Sequence, residues 1–220
     1  VQLVRPGTPC VMGNFTSNVD MRTGSPAFGT PEFVHATLGG AQIARLFGLP
    51  SRSGAPCGSP AVDAQAAYET SFSLWAALMA GTDVITHALG WLEGGLTASL
   101  EKIAIDAEML RSWAEICRPR TVDDGELALD AIRATPAGGH YFGAAHTLQR
   151  YERAFWRPIL SDWSNYENWR DAGARDATSR AADVFKAALG SYAPPPLGTE
   201  ILEAVDAFIA QRREQIQGAD

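Results

Sequence analysis

The stretch DVITHALGWLEGGLTASLEK, Asp83 to Lys102, carries the reading of the fold. It opens with an apolar strand pattern that ends on His87, passes through a glycine-rich loop and enters a helix. Parallel α/β enzymes place their chemistry at such strand-to-helix junctions. From this segment alone a second reading stays open, in which His87 is a hydrogen-bonded structural histidine and Gly90, Gly94 and Gly95 only shape a turn.

The same step recurs along the first two thirds of the chain, and recurrence says more than any single motif. PCVMGNF (Pro9 to Phe15) reads as a strand, followed by a long loop from Thr16 to Thr30. The next helix has Thr30 as N-cap and Pro31 as first residue, with Val34, Leu38, Ala41 and Phe47 on its apolar face. LPSRSG (Leu49 to Gly54) leads through APCGSPAV to a helix from Asp63 to Ala80, capped by Asp63 and stopped by Gly81. That helix is rich in Ala and poor in charge, which predicts burial. After the opening stretch a helix from Thr97 to Cys117 carries Ile103, Ala107, Leu110 and Ala114 along one side, and Pro119 closes it. A fourth unit is expected at GGHYFG (Gly138 to Gly143), a short aromatic strand between a helix at Glu126 to Arg133 and a helical HTLQRYERAFW.

Strands alternating with helices imply a parallel sheet, because parallel neighbours need a crossover and the crossover is normally a helix. Four consecutive units predict an α/β fold whose parallel (β/α) units form half of a TIM (β/α)8 barrel. The competing open, doubly wound sheet would carry GxGxxG or GxxxxGK[ST] straight after a strand, and neither pattern occurs. The expected division is residues 1–150 as the barrel units and residues 151–220 as a helical C-terminal extension packing on them. Tyr151 to Trp169 concentrates aromatic and charged residues as a packing surface, and Pro194 to Pro196 breaks the preceding helix. Thr199 then caps a final helix with Ile201, Leu202, Val205, Phe208 and Ile209 in a stripe that must bury against the barrel or a second subunit.

Composition narrows the function. No apolar run is long enough to cross a bilayer, so no membrane role is expected. A net charge of -7, with Lys only at Lys102 and Lys186, argues against a sequence-independent grip on nucleic acid. Val1 to Pro6 shows neither an initiating Met nor a leader, which predicts a piece of a longer protein. Cys10, Cys57 and Cys117 form no CxxC pair and no disulfide framework, which points to a reducing cytoplasm. Cys10 and Cys57 lie near strand ends alongside histidines, so a zinc site assembled from separate loops stays open beside the commoner reading of buried cysteine as a small hydrophobe.

In a barrel the loops after the strands open on one face and hold the catalytic groups. Those loops carry Asp20 and Arg22, then Asp63 and Gln65, then His87, Trp91 and Glu93, then His146, with His140 and Tyr141 in the last expected strand. His35, in a helix, reads as structural. Carboxylates, histidines and aromatic rings around one cavity suit a cationic organic ligand, since an ammonium is attracted to a ring face. They also suit a sugar or a carboxylic acid.

The segments DMRTGSPAFGTPE, SPAVDAQAAYE, THALGWLEGGLTASLEKIAIDAEML, LALDAIRATPAGGHYFGAAHTLQRYERAFWRPILSD and ENWRDAGARDATSRA closely resemble the C-terminal half of the trimethylamine methyltransferase family, the corrinoid-dependent methylamine and betaine methyltransferases. The resemblance covers nearly the whole chain. It implies a (β/α)8 barrel of about twice this length, and methyl transfer from a tertiary or quaternary amine to the cobalt of a corrinoid (cobalamin) carried by a separate protein. No tightly bound cofactor or metal is expected in this chain, and a homo-oligomer is. Members acting on trimethylamine carry pyrrolysine, whose absence here shifts the implied substrate toward betaine-like quaternary amines. By the same resemblance His87 faces the substrate, with Asp63, Gln65 and Glu93 next, and His140, Tyr141 and Trp91 as candidate walls. Each has a bland counterpart: helix cap, cap partner or loop hydrogen-bonder for the first three, aromatic packing for the walls. Two other functions stay open, a non-catalytic partial barrel that self-associates through its strand edges and a metal-assisted barrel lyase or hydrolase using Cys10, Cys57 and His87.

Overall fold

The computed structural model describes residues 1–217. Strand β1 (Met12–Gly13) is followed by the short hairpin of β2 (Asn18–Val19) and β3 (Pro26–Ala27), then by helix α1 (Pro31–Leu46). β4 (Ser51–Gly54) precedes α2 (Ala64–Met79), and β5 (Val84–Thr86) precedes a second hairpin, β6 (Trp91–Leu92) and β7 (Thr97–Ala98), before α3 (Leu100–Ile116). Among the described residues the main sheet has three strands in the order β1-β4-β5, all parallel. The three expected units therefore form in sequence, with α1 crossing from β1 to β4 and α2 from β4 to β5.

Local chemistry sets these boundaries. Thr30 Oγ1, Asp63 Oδ1 and Ser99 Oγ accept from the N–H groups of Phe33, Ala66 and Lys102 at 3.3, 3.0 and 3.2 Å. Each such cap contributes about 1 kcal/mol by satisfying a donor that has no partner inside its helix. Asp83 fixes the register of β5 on β4: its Oδ2 accepts from Ser51 N–H at 2.7 Å, and its own N–H donates to Ser51 O at 3.1 Å. Beneath the sheet Phe33 is fully buried, as are Ala41 and Ala44 of α1 and Ala76 and Ala77 of α2. Small side chains let these two neighbouring helices approach closely.

The helix faces differ from the expected stripes. On α1 the buried residues are Phe33, Thr37, Ala41 and Ala44, while Phe47 is exposed. Thr37 is accommodated because its hydroxyl meets Ser53 Oγ at 3.5 Å. On α3 the buried set is Lys102, Ala104, Asp106 and Glu108, and the apolar Ile103 and Ala114 are exposed. An ion pair and a capping carboxylate occupy the inner face, a polar solution that hydrophobic periodicity does not detect.

The fourth expected unit does not form. Residues 138–143 lie in turns and irregular structure, and the expected helix at 126–133 is broken into α4 (Asp124–Leu127) and α5 (Leu129–Ala134) by Ala128, which has φ 50. The helical-looking segment after it holds only α6 (Ala145–Leu148). From 159 to 161 the chain returns to α3, where Glu108 accepts from the N–H groups of Ile159, Leu160 and Ser161 at 2.8, 3.3 and 2.9 Å. Burial works to raise the Glu108 carboxyl, but these hydrogen bonds hold it below its ordinary value. α7 (Tyr166–Asp171) and α8 (Ala177–Gly190) follow, with Ala181 buried beside Ala104 and Leu160.

The chain divides into two compact units, Val1–Lys186 and the remainder from Ala187. The second holds the end of α8 and α9 (Thr199–Gln217), on which Ile201, Leu202, Val205, Phe208 and Ile209 are all exposed. Thr199 is the first helical residue rather than the cap, and the Gly198 carbonyl accepts from Ile201 and Leu202 N–H instead. Among the described residues no helix is long and apolar enough to cross a membrane.

Candidate functional site

His87 follows directly on the C-terminal end of β5 and takes a left-handed backbone, φ 55. That conformation swings the chain out of the strand, and Thr86 Oγ1 meets His87 Nδ1 at 2.9 Å. The imidazole packs edge-on to the Trp91 ring, with centroids 4.2 Å apart, and lies 5.1 Å from the Phe15 ring beyond the end of β1. Phe28 and Phe33 continue the cluster, at 5.0 and 6.1 Å from Phe15.

Gly54, at the end of β4, makes this gathering possible. A Cβ there would lie 2.8 Å from Phe15 Cε2, 3.0 Å from Thr86 O and 3.3 Å from His87 Nδ1. The ends of all three parallel strands therefore converge on one aromatic patch, and a side chain on the middle strand would hold it apart.

A cavity of about 600 Å³ adjoins His87 and Trp91, with Leu74 and Leu78 of α2, Ile85 of β5, and Leu110, Trp113 and Cys117 along α3 among its walls. Burial in these apolar surroundings lowers the His87 pKa below its ordinary 6.5, and the charge of Arg52 on β4 lowers it further. Both effects favour the uncharged ring. An uncharged imidazole and an indole on the wall of an apolar cavity, with the Phe15 ring beside the imidazole, can hold a cation by its attraction to ring faces, without a competing positive charge on the histidine.

The other expected site residues are placed elsewhere. Asp63 caps α2 and also accepts from Ser59 Oγ at 3.2 Å, while Gln65 donates to Glu69 Oε1 at 2.9 Å. Both act in the support of the loop after β4, because Glu69 Oε2 accepts in turn from Gly58 and Ser59 N–H at 2.8 and 2.9 Å. Glu93, at φ 51, is exposed and accepts from Thr97 Oγ1 at 2.9 Å inside the β6–β7 hairpin. His140 lines a separate cavity of about 890 Å³ with Asp130, Arg133 and His146, and His146 Nε2 lies 2.8 Å from Gly125 O. Tyr141 is 46% exposed and lines neither cavity. Asp20 holds its own loop, accepting from Arg22 N–H and the Thr23 hydroxyl, and these two bonds lower its pKa. His35 is exposed on α1.

The cysteines do not converge on His87. Cys57 is buried and donates to Trp91 O at 3.1 Å, and Cys10 donates to Thr8 O at 3.4 Å. Among the described residues no three His, Cys, Asp or Glu side chains stand where they could share a metal ion.

Phe15, Phe28 and Arg52 belong to the site although nothing in their local sequence marks them. Lys102 and Asp106 do carry a signal, an i,i+4 charge pair in an otherwise apolar stretch.

A family model described as trimethylamine methyltransferase matches residues 1–217. The glycine betaine methyltransferase of Desulfitobacterium hafniense (strain Y51) is 36% identical over 216 residues, 98% of this chain and 45% of that protein. The trimethylamine methyltransferase MttB of Desulfitobacterium hafniense (strain DSM 10664 / DCB-2) is 30% identical over 97% of this chain and 43% of its own length. MttB1 of Methanosarcina acetivorans is 26% identical over 99% of this chain and 44% of its own length. The chain spans just under half the length of the curated relatives it matches.

Proposed function

Since the chain belongs to the trimethylamine methyltransferase family, we propose that it supplies the amine-holding side of a methyl transfer from a quaternary or tertiary amine to the cobalt of a corrinoid on a separate protein. Glycine betaine-like quaternary amines are the substrates we favour. The observation that carries this reading is the edge-on pair of His87 and Trp91, 4.2 Å apart and backed by Phe15, at the ends of three parallel strands. Aromatic faces of this kind each contribute about 0.5–2 kcal/mol toward a bound ammonium, more as water is excluded.

The chemistry asks little else of this chain. On this reading a corrinoid held by the partner would supply the electron pair for the methyl, with the C–N pair staying on nitrogen. A quaternary ammonium then leaves as a neutral amine with no proton delivered to it. What remains for the chain is to orient the N-methyl group and keep water away from it. Neutral His87 and the cage serve the ammonium end, and Arg52 suits the carboxylate of a betaine. The consecutive β1, β4 and β5 with their helical crossovers support placing the chain as the C-terminal half of a (β/α)8 barrel.

The test is to mix the full-length protein with cob(I)alamin and a panel of betaines and methylamines while following methylcobalamin absorbance. Formation with glycine betaine and its loss in His87→Ala and Trp91→Ala are expected. Failure with every quaternary and tertiary amine overturns the reading.

A second reading is favoured by the sheet edges. Among the described residues β1 and β5 each pair on one side only, and Val84 on β5 is 45% exposed. Unpaired parallel edges invite association between copies, which accords with a homo-oligomer. A light-scattering mass equal to one chain would overturn it.

A further inference from the structure

The loop that joins His87 to Trp91 is gripped from behind by groups that do not line the cavity. Gly90 donates its N–H to Asp106 Oδ2 at 2.8 Å, and Trp91 O accepts from Cys57 Sγ at 3.1 Å. The other Asp106 oxygen lies 2.5 Å from Lys102 Nζ, which also donates to Thr70 Oγ1 at 2.9 Å. A chain of polar contacts thus runs from Thr70 of α2 through Lys102 and Asp106 of α3 to the Gly90 N–H on one side of Trp91, while Cys57 separately holds the Trp91 carbonyl on the other. Lys102 and Asp106 are each 1% exposed, and Cys57 is completely buried.

We infer that the Lys102–Asp106 pair, together with Cys57, is a positioning device that sets the spacing of the His87 and Trp91 rings. Burying two charges is costly even when they are paired, and an apolar pair of the same volume would hold two helices together as well or better. What an apolar pair cannot do is accept the Gly90 N–H in a fixed direction. Each Asp106 oxygen has its own partner, so the carboxylate cannot turn without losing one of them.

The backbone at Gly90 supports the same conclusion independently. It has φ 77, and a Cβ there would stand 2.3 Å from Ile103 Cγ1, so the loop lies flat against α3 where only glycine fits. A neighbouring contact closes the far side, since Gly94 N–H donates to Cys57 O at 2.9 Å. The loop is clamped between Cys57 and α3, and Trp91 leaves it at one angle.

The positioning stands on geometry alone, and its consequence for amine affinity rests on the proposed function. Both can be read in this chain. The His87 imidazole is followed by NMR through its ring carbon signal, assigned by its loss in His87→Gln. Arg52 on β4, whose charge acts on that ring, and Cys117, which lines the same cavity at the end of α3, are left intact. Tetramethylammonium serves as the probe of the cage.

In Asp106→Asn and in Cys57→Ala the His87 midpoint is expected to rise toward its ordinary value as the ring gains water, and tetramethylammonium affinity to fall roughly three- to tenfold. Cys57→Ser, which keeps a donor to Trp91 O, is expected to restore both. A His87 midpoint unmoved in folded Asp106→Asn and Cys57→Ala overturns the inference, because a merely structural pair would change stability alone. Should Asp106→Asn not fold, the Cys57→Ala and Cys57→Ser pair decides. If the unaltered chain does not bind tetramethylammonium, the cage reading fails while the His87 midpoint still tests the positioning.

Discussion

Residues 83–117 and 138–156 read alike as strand, loop and helix, yet only the first folds that way. Val84, Ile85 and Thr86 are three consecutive residues that favour extended backbone, and they lie on β4 with Arg52, Ser53 and Gly54 as register partners. Asp83 latches the start of that strand and Lys102–Asp106 anchors the helix after it. GGHYFG opens with two glycines, the first at φ 79, pairs with no strand, and leaves Tyr141 and Phe142 at 46% and 79% exposure. Strand formation here depends on the neighbour and the anchoring groups more than on the apolar pattern of the segment itself.

The largest effect that bears on this comparison is expected from Lys102→Ala. Leaving Asp106 buried without its partner should cost about 3–5 kcal/mol in urea unfolding, and a loss under about 1 kcal/mol would mean that the first segment owes its order to something else. Gly54→Ala comes next, at about 1–3 kcal/mol. The Phe15 ring can swing away from the new methyl but the Thr86 carbonyl cannot, so near-ultraviolet circular dichroism should also change.

A smaller effect is expected from pH. The His87 pKa is depressed in the folded chain by burial and by Arg52, so the unfolded chain binds the proton more readily. The stabilisation is complete above 6.5, the ordinary value, and is lost as pH falls through the lower folded value. Chemical denaturation of the chain and of His87→Gln across that range should converge as pH drops; parallel curves would show that the ring is solvated. Ammonium binding should weaken in the same direction, since a protonated ring repels it. Least is expected of Tyr141→Ala, within about 0.5 kcal/mol. A loss of about 2 kcal/mol by the same denaturation would show that the second segment is packed after all, and the contrast would collapse.

Much of the first segment's order was legible in the sequence because its determinants are local. Asp83 to His87 is apolar and β-branched where it needs to be, and the helix expected from Thr97 begins three residues later, at Leu100, behind the Ser99 cap. His87 and Trp91 are four residues apart, so their meeting follows from one turn. Phe15 and Arg52 come to the same place from other strands, and no spacing rule links them to His87. Asp63 and Gln65 stand out by their type and loop position, but a carboxylate at the N-cap or an amide in the first turn of a helix is as useful for capping and loop support as for binding. His140 and Tyr141 were placed on a strand whose neighbour is lacking. The Lys102–Asp106 pair is legible as an i,i+4 charge spacing but its burial is not, because the periodicity of the apolar residues around it points to the opposite face.

The left-handed backbone at His87 restricts how this site can be varied. At φ 55, asparagine, aspartate and glycine can replace histidine with little backbone cost, whereas valine, isoleucine and threonine would force the turn open. A library built to alter amine preference would therefore waste most of its members at position 87. Phe15, Arg52 and Trp91, free of that constraint, are the positions where a wide choice of side chains can be sampled on an unaltered scaffold.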